Sequence, residues 1–165
     1  MNEIKKKICL VGDFSVGKTS LTQQFVNQVF SERYLTTIGV KIDTKIISQE
    51  SGTVKLVIWD VAGRDSLSPL NANYLIGAAG YILVVDGTRR ETISSANMLV
   101  ETVHKKLPDV PFIVLVNKSD MADKWLFTDA DMSEYEGFGW HVLKTSAKTG
   151  ENVENAFLYL AGKLL

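Results

Sequence analysis

Apolar runs rich in β-branched residues alternate along the chain with segments whose apolar residues recur every three or four positions. That alternation predicts an α/β domain built on a mainly parallel sheet. Strands are expected near Ile4–Val11, Val40–Ser48, Thr53–Asp60, Gly80–Asp86, Phe112–Asn117 and Trp140–Lys144. The second and third are joined by "SQESGT", whose Ser, Gly and charged residues suit a reversal, so one antiparallel strand is expected at a sheet edge. Two helical stripes stand out: Ile93, Ala96, Leu99, Val100, Val103 and Leu107, then Val153, Ala156, Phe157, Leu160, Ala161 and Leu164. Both should face the sheet. Pro108 and Pro111 bracket the exit from the first, and Glu151 is expected at the entrance of the second, where its charge would suit the helix dipole.

Length and composition narrow the classes. A chain of 165 residues fits one domain, here residues 1–165, that buries about two thirds of the surface its unfolded form exposes. A net charge of -1 supplies no global field for nucleic acid, so binding has to be local. Cys9, the single cysteine, lies in the apolar run "ICLV" and reads as a buried, inert thiol in a reducing interior. No stretch approaches the roughly 18 apolar residues of a membrane-spanning helix, and the chain is expected to be soluble. His104 and His141 are too isolated for a metal site, Trp125 and Trp140 read as packing residues, and Lys5–Lys7 read as solvating an edge strand.

The chemistry is concentrated in a few turns. "GDFSVGKT", Gly12–Thr19, follows an apolar strand and opens a helical pattern, the setting in which successive backbone N–H groups can surround phosphates. Gly17 would allow close approach, Lys18 would reach the phosphates as a point charge, and the Thr19 hydroxyl would face Mg²⁺. "VKLVIWDVAG" ends a strand in Asp60, a carboxylate placed to hold Mg²⁺ through water, and then in Gly63, whose N–H could meet a terminal phosphate. "FIVLVNKSD" ends another in Asn117, Lys118 and Asp120. A carboxylate there accepts two hydrogen bonds from guanine, whereas adenine would leave it unpaired. "TSAKTGEN" adds Ser146, Ala147 and Lys148, suited to giving a backbone N–H to the guanine carbonyl.

Together, "GDFSVGKT", "TTIGV", "WDVAG", "NKSD" and "TSAKTGENVENAF" resemble, end to end and in order, the small GTPases of the Ras superfamily, within it the Rab branch. The resemblance implies a P-loop NTPase fold with a six-stranded, mostly parallel sheet and about five helices on both faces. It implies a GTP/GDP site formed by Asp13, Phe14, Ser15, Val16, Gly17, Lys18, Thr19 and Ser20, by Phe30 against the guanine, and by Asn117, Lys118, Asp120, Ser146, Ala147 and Lys148. Mg²⁺ would be held by Thr19, Thr37 and Asp60, and Thr37 and Gly63 would sense the γ-phosphate. It also implies effector and regulatory proteins that read two switch segments, around residues 30–39 and 61–74, with Ile38, Trp59 and Leu67 as contact surface or, for Trp59, packing. No nucleic-acid partner is implied, and a monomer is expected.

Three positions depart from the family pattern. Arg64 stands where a glutamine usually orients the attacking water, and a guanidinium cannot accept a hydrogen bond from that water. Arg64 is read in three ways: a solvated residue in a slow enzyme, a built-in transition-state cation, or an interface residue where a partner positions the water. Phe14 replaces a small residue and would crowd the γ-phosphate. The sequence shows no cysteine after Cys9 for lipidation, so a cytoplasmic protein is expected, peripheral at membranes only where a tail or partner supplies the anchor. The catalytic set is then Lys18, Thr37, Gly63 and Arg64, with slow GTP hydrolysis expected. The rival reading is a nucleotide-dependent interaction module with little or no hydrolysis. An ATP-using protein is disfavoured by Asp120.

Overall fold

The computed structural model describes residues 3–31, 39–63 and 70–165. Its strands are β1 (Ile4–Gly12), β2 (Val40–Gln49), β3 (Gly52–Val61), β4 (Gly80–Asp86), β5 (Phe112–Asn117) and β6 (Val142–Lys144). Its α-helices are α1 (Lys18–Asn27), α2 (Arg90–Lys106), α3 (Asp129–Gly137) and α4 (Val153–Lys163). The sheet order is β2-β3-β1-β4-β5-β6, with β2 antiparallel to β3 at one edge and every other pairing parallel. Four α-helices lie among the described residues, against the five expected; two further short segments, Ala72–Leu75 and Ala122–Lys124, are single 3-10 turns.

Strand alternation divides the core into two layers. Ile8 and Leu10 of β1, Ile82 and Val84 of β4, and Ile113 and Leu115 of β5 pack with α1 and α4. Cys9, Val11, Tyr81, Leu83, Val85, Val114 and Val116 pack on the other face with α2, Tyr135 of α3 and Trp140. Both faces are buried, which is why these strands read as continuous apolar runs. The α2 stripe is buried from Ile93 to Leu107 as expected, and Phe25 of α1 stacks on Phe157 of α4 at 4.0 Å between ring centroids. Cys9 is fully buried, and desolvation pushes its thiol up to about 11, so it is an inert packing group.

Two expectations need correction. β1 is an interior strand, so Lys5–Lys7 do not lie on an outer one; yet β4 pairs only from Ile8 onward, and the overhanging start of β1 has β3 alone as its ladder partner. There Lys7 Nζ donates to the Ile76 carbonyl at 2.7 Å and sits 3.6 Å over the Trp59 ring. β6 starts at Val142, because Trp140 belongs to the turn leaving α3, its N–H on the Tyr135 carbonyl at 3.3 Å. Glu151 stands at the entrance of α4 as expected, just before the cap Asn152 in the left-handed region (φ 57°), and its carboxylate accepts from the Ser119 hydroxyl at 3.2 Å.

The α3 start is the best-defined helix end. The Thr128 hydroxyl accepts from the Asp131 N–H while the Asp131 carboxylate accepts from the Thr128 N–H, a reciprocal cap. Arg90 of α2 grips the same carboxylate with two bonds of 2.6 and 2.7 Å, and this holds Asp131 down at about 2. Asp131→Ala should cost about 2 kcal/mol at pH 7 in urea unfolding. Since the folded-state pKa lies below the unfolded value near 4, that contribution is complete above pH 4 and fades as pH falls towards 2. A wild-type advantage that persists undiminished at pH 2 would refute the assignment.

Candidate functional site

The parallel strands deliver their C-terminal ends to one edge of the sheet. β1 sends the chain towards β3, and β4 sends it towards β5, so Gly12 and Asp86 flank the point where the winding reverses, the place where open α/β sheets bind ligands. Around it gather the Gly12–Thr19 loop, Asp60 at the end of β3, Asp86 at the end of β4 and Asn117 at the end of β5.

The loop is shaped by what grips its carbonyls. Lys18 Nζ donates to the Asp13 carbonyl at 3.2 Å, Lys118 Nζ to that of Ser15 at 3.0 Å, and Asn117 Nδ2 to that of Val16 at 3.0 Å. The carbonyl between them, Phe14 O, accepts from the Arg89 guanidinium at 2.6 Å. Four consecutive carbonyls are thus engaged by side chains. A trans peptide sets N–H opposite C=O, so the amides of Phe14, Ser15, Val16 and Gly17 point away from those partners, an arrangement suited to cradling an anion. Ser15 and Gly17 take positive φ, 60° and 105°, and a side chain on Gly17 would also come within 2.3 Å of Asn117 Nδ2.

Lys18 is almost fully buried beside this cradle. Desolvation lowers its pKa to about 8, the Asp60 and Asp13 carboxylates offset part of that, and Arg89 adds to the depression. A buried cation under such strain is a receptor for anions. The Thr19 hydroxyl donates to Asp60 Oδ2, so two hard oxygen ligands meet at the end of β3. This donor set fits Mg²⁺, which binds through few protein oxygens and keeps waters and phosphate oxygens. Among the described residues no group of three His, Cys, Asp or Glu could hold a metal by itself.

Gly63 lies against the cradle: a side chain there would fall 2.7 Å from Phe14 Cα and 2.8 Å from Phe14 N. Only glycine lets the end of β3 meet the loop this closely. Phe14 itself is 39% exposed, Val16 is buried, and Asp13 accepts from the Ser95 hydroxyl at 3.2 Å through Oδ2.

The second half of the site is built from the turns after β5 and β6. Asn117 Oδ1 accepts from the Thr145 hydroxyl at 3.2 Å and the Ala147 N–H at 3.3 Å. Asp120 is exposed, with Oδ1 held by the buried Ser146 hydroxyl at 2.7 Å. The Ser119 N–H reaches the Thr145 carbonyl, and Gln24 of α1 donates to the Ala147 carbonyl at 2.7 Å. Ser20 is half-buried and Lys148 exposed at the site's margins, and Phe30 is exposed beyond α1 and belongs to neither core layer. Thr37 and Arg64, with Ile38 and Leu67, lie outside the described residues.

Sequence reasoning missed Asp86, Arg89, Thr145 and Gln24. Asp86 carried a signal, a carboxylate closing the fully buried run "GYILVVD". In the structure it is wholly buried, with Lys118 Nζ 2.8 Å from Oδ2, Arg89 at 3.8 Å, and Thr88 donating to Oδ1 through its N–H and hydroxyl.

A sequence profile of the Ras family matches residues 7–165. The Ras-related protein RABD1 of Arabidopsis thaliana is 34% identical over 160 residues, covering 96% of this chain and 78% of that protein.

Lys18→Met tests the electrostatic account directly. The ammonium offsets the buried Asp60 carboxylate, so the variant without nucleotide should melt below wild type because that carboxylate loses its cation, while its affinity for GDP falls at least ~100-fold. Calorimetric melting and GDP titration read the two quantities separately; unchanged melting or wild-type GDP affinity would contradict the account.

Proposed function

From the premise that the chain belongs to the Ras family, we propose that it is a guanine-nucleotide switch that binds GTP and GDP with Mg²⁺ and hydrolyses GTP slowly. The observation that carries this reading is the double engagement of Asn117, whose Nδ2 holds the phosphate loop and whose Oδ1 holds the turn after β6. That single side chain fixes the distance between an anion cradle and the carboxylate of Asp120, as a ligand with phosphates at one end and a hydrogen-bonding purine at the other requires. Asp120 supplies acceptors for the ring N–H and exocyclic amine of guanine. Adenine, with a lone pair at the ring position, would strand it.

Thr19, Asp60 and Thr37 are the residues that would hold Mg²⁺, which supplies charge to neutralise the phosphate oxygens when bound. Lys18 and the inward amides bind the β- and γ-phosphates, and Gly63 stands close enough to the loop for its N–H to report whether the γ-phosphate is there. Thr37 on one switch segment and Gly63 on the other would couple that phosphate to partner proteins. Trp59, under the Lys7 ammonium and beside Tyr74, suits that surface. The protein acts as a monomer in the cytoplasm, and meets membranes only where a tail or partner supplies the anchor.

Phe14 and Arg64 favour a second reading, a nucleotide-dependent interaction module with negligible hydrolysis. One measurement tests the guanine assignment common to both readings, and a second separates them. Asp120→Ala should weaken GDP binding by more than tenfold and leave the far weaker binding of ADP unchanged; equal affinity for GDP and ADP in the wild type would end the guanine assignment. In single-turnover GTP hydrolysis, Arg64→Gln should raise the rate by about ten- to a hundredfold if the missing water positioner limits it. A collapse in Arg64→Ala would instead mark Arg64 as the cation, and absence of phosphate release under all conditions would favour the module.

A further inference from the structure

Arg89 is unlike the other three groups that hold the phosphate loop. Lys18 belongs to the loop's own helix, and Asn117 and Lys118 come from the base-reading turn, whereas Arg89 caps α2 and reaches the loop across 75 positions of sequence. Its bond to the Phe14 carbonyl, at 2.6 Å, is the shortest of the four. The guanidinium is aimed: Nε pairs with Glu91 at 3.1 Å, and Asp86 Oδ2 lies 3.8 Å from Nη1.

The turn that carries it is rigid. The Gly87 N–H is bonded to the Asn117 carbonyl at 3.0 Å, its carbonyl accepts from Leu126 N–H at 2.7 Å, and the Trp125 ring packs where a Gly87 side chain would go. Beside it, Ser95 of α2 donates to Asp13 Oδ2, so two residues of one helix brace two consecutive loop positions. Buried Asp86 serves both cations, orienting Lys118 onto Ser15 and Arg89 onto Phe14.

We infer that Arg89 is a positioning residue for the nucleotide's phosphates: it fixes and polarises the Phe14–Ser15 peptide, so that the Ser15 N–H is presented to the phosphate chain and bound nucleotide is retained. A cation on a carbonyl oxygen draws electron density through the peptide and strengthens its N–H as a donor. The cation adds field at the cradle without needing to touch the ligand. The inference rests on reading the cradle as a guanine-nucleotide site.

The test is the release of GDP carrying a fluorescent ribose label, with GDP and IDP as competitors, on wild type, Arg89→Ala, Arg89→Gln and Arg89→Lys. Dissociation from Arg89→Ala should be about tenfold faster, as expected for loss of one charge-assisted hydrogen bond. Arg89→Lys should recover most of the loss and Arg89→Gln only part. The preference for GDP over IDP, which differ only in the exocyclic amine, should stay at the wild-type ratio, since the base pocket is untouched; Asp120→Ala, by contrast, should erase it. Melting of the nucleotide-free variants should match wild type, separating positioning from a merely structural role. Wild-type release rates in Arg89→Ala, a lysine no better than alanine, or an altered GDP/IDP ratio would overturn the inference. If Arg89→Ala does not fold, the lysine and glutamine variants carry the comparison. Failure of wild type to bind GDP at all would sink the underlying reading instead.

Discussion

The site hangs on one buried amide. Asn117 ends a strand that is buried on both faces, and its side chain is 2% exposed. A primary amide in that position has two donors and two acceptor lone pairs to satisfy, and leaving them unmet would cost on the order of 1–3 kcal/mol for each group. The fold meets three of these four by drawing the Val16 carbonyl to the nitrogen, and the Thr145 hydroxyl and Ala147 N–H to the oxygen. The same side chain fills the space where a Cβ on Gly17 would lie, so the glycine and the asparagine require each other. Satisfying one polar group thereby brings together three turns that are distant in sequence.

Charge is organised by the same economy. The chain as a whole is nearly neutral, yet Lys18, Arg89 and Lys118 converge on the Gly12–Thr19 loop, and buried carboxylates close the ends of β3 and β4 beneath them. A lone cation buried at Lys18 would be too costly to keep charged. Asp60 and Asp13 hold part of that charge in place, and Asp86 lies 2.8 Å from Lys118 and 3.8 Å from Arg89. Three cations thus meet at one loop of a chain whose net charge is only -1.

Much of this was legible in the sequence because burial and chemistry left separate marks. β4 and β5 are covered on both faces and read as unbroken apolar runs, and the residues that follow them, Asp86 and Asn117–Asp120, are polar because they leave the core at the ligand edge. The α2 and α4 stripes follow from helices lying on a sheet. The errors have equally local causes. Lys5–Lys7 suggested an outer strand because their side chains flank the short overhang where β1 extends beyond β4, a detail of register that composition does not carry. Trp140 looked like strand because it is aromatic and buried, but it is buried by α3. Arg89 had no signature at all, since its role exists only once the turn after β4 has been brought against a loop at the other end of the chain.

Position 14 enters the site through its backbone as well as its side chain. Read from the sequence, the bulk of Phe14 should crowd the γ-phosphate. In the structure its backbone also sets the packing of the loop, since a Cβ added to Gly63 would meet Phe14 N and Cα, while the residue as a whole is 39% exposed. Arg89 reaches the same residue through its carbonyl, so an exposed aromatic side chain and a cation on the backbone meet at one position. The two are compatible, because the cation acts on the peptide and makes no demand on the ring.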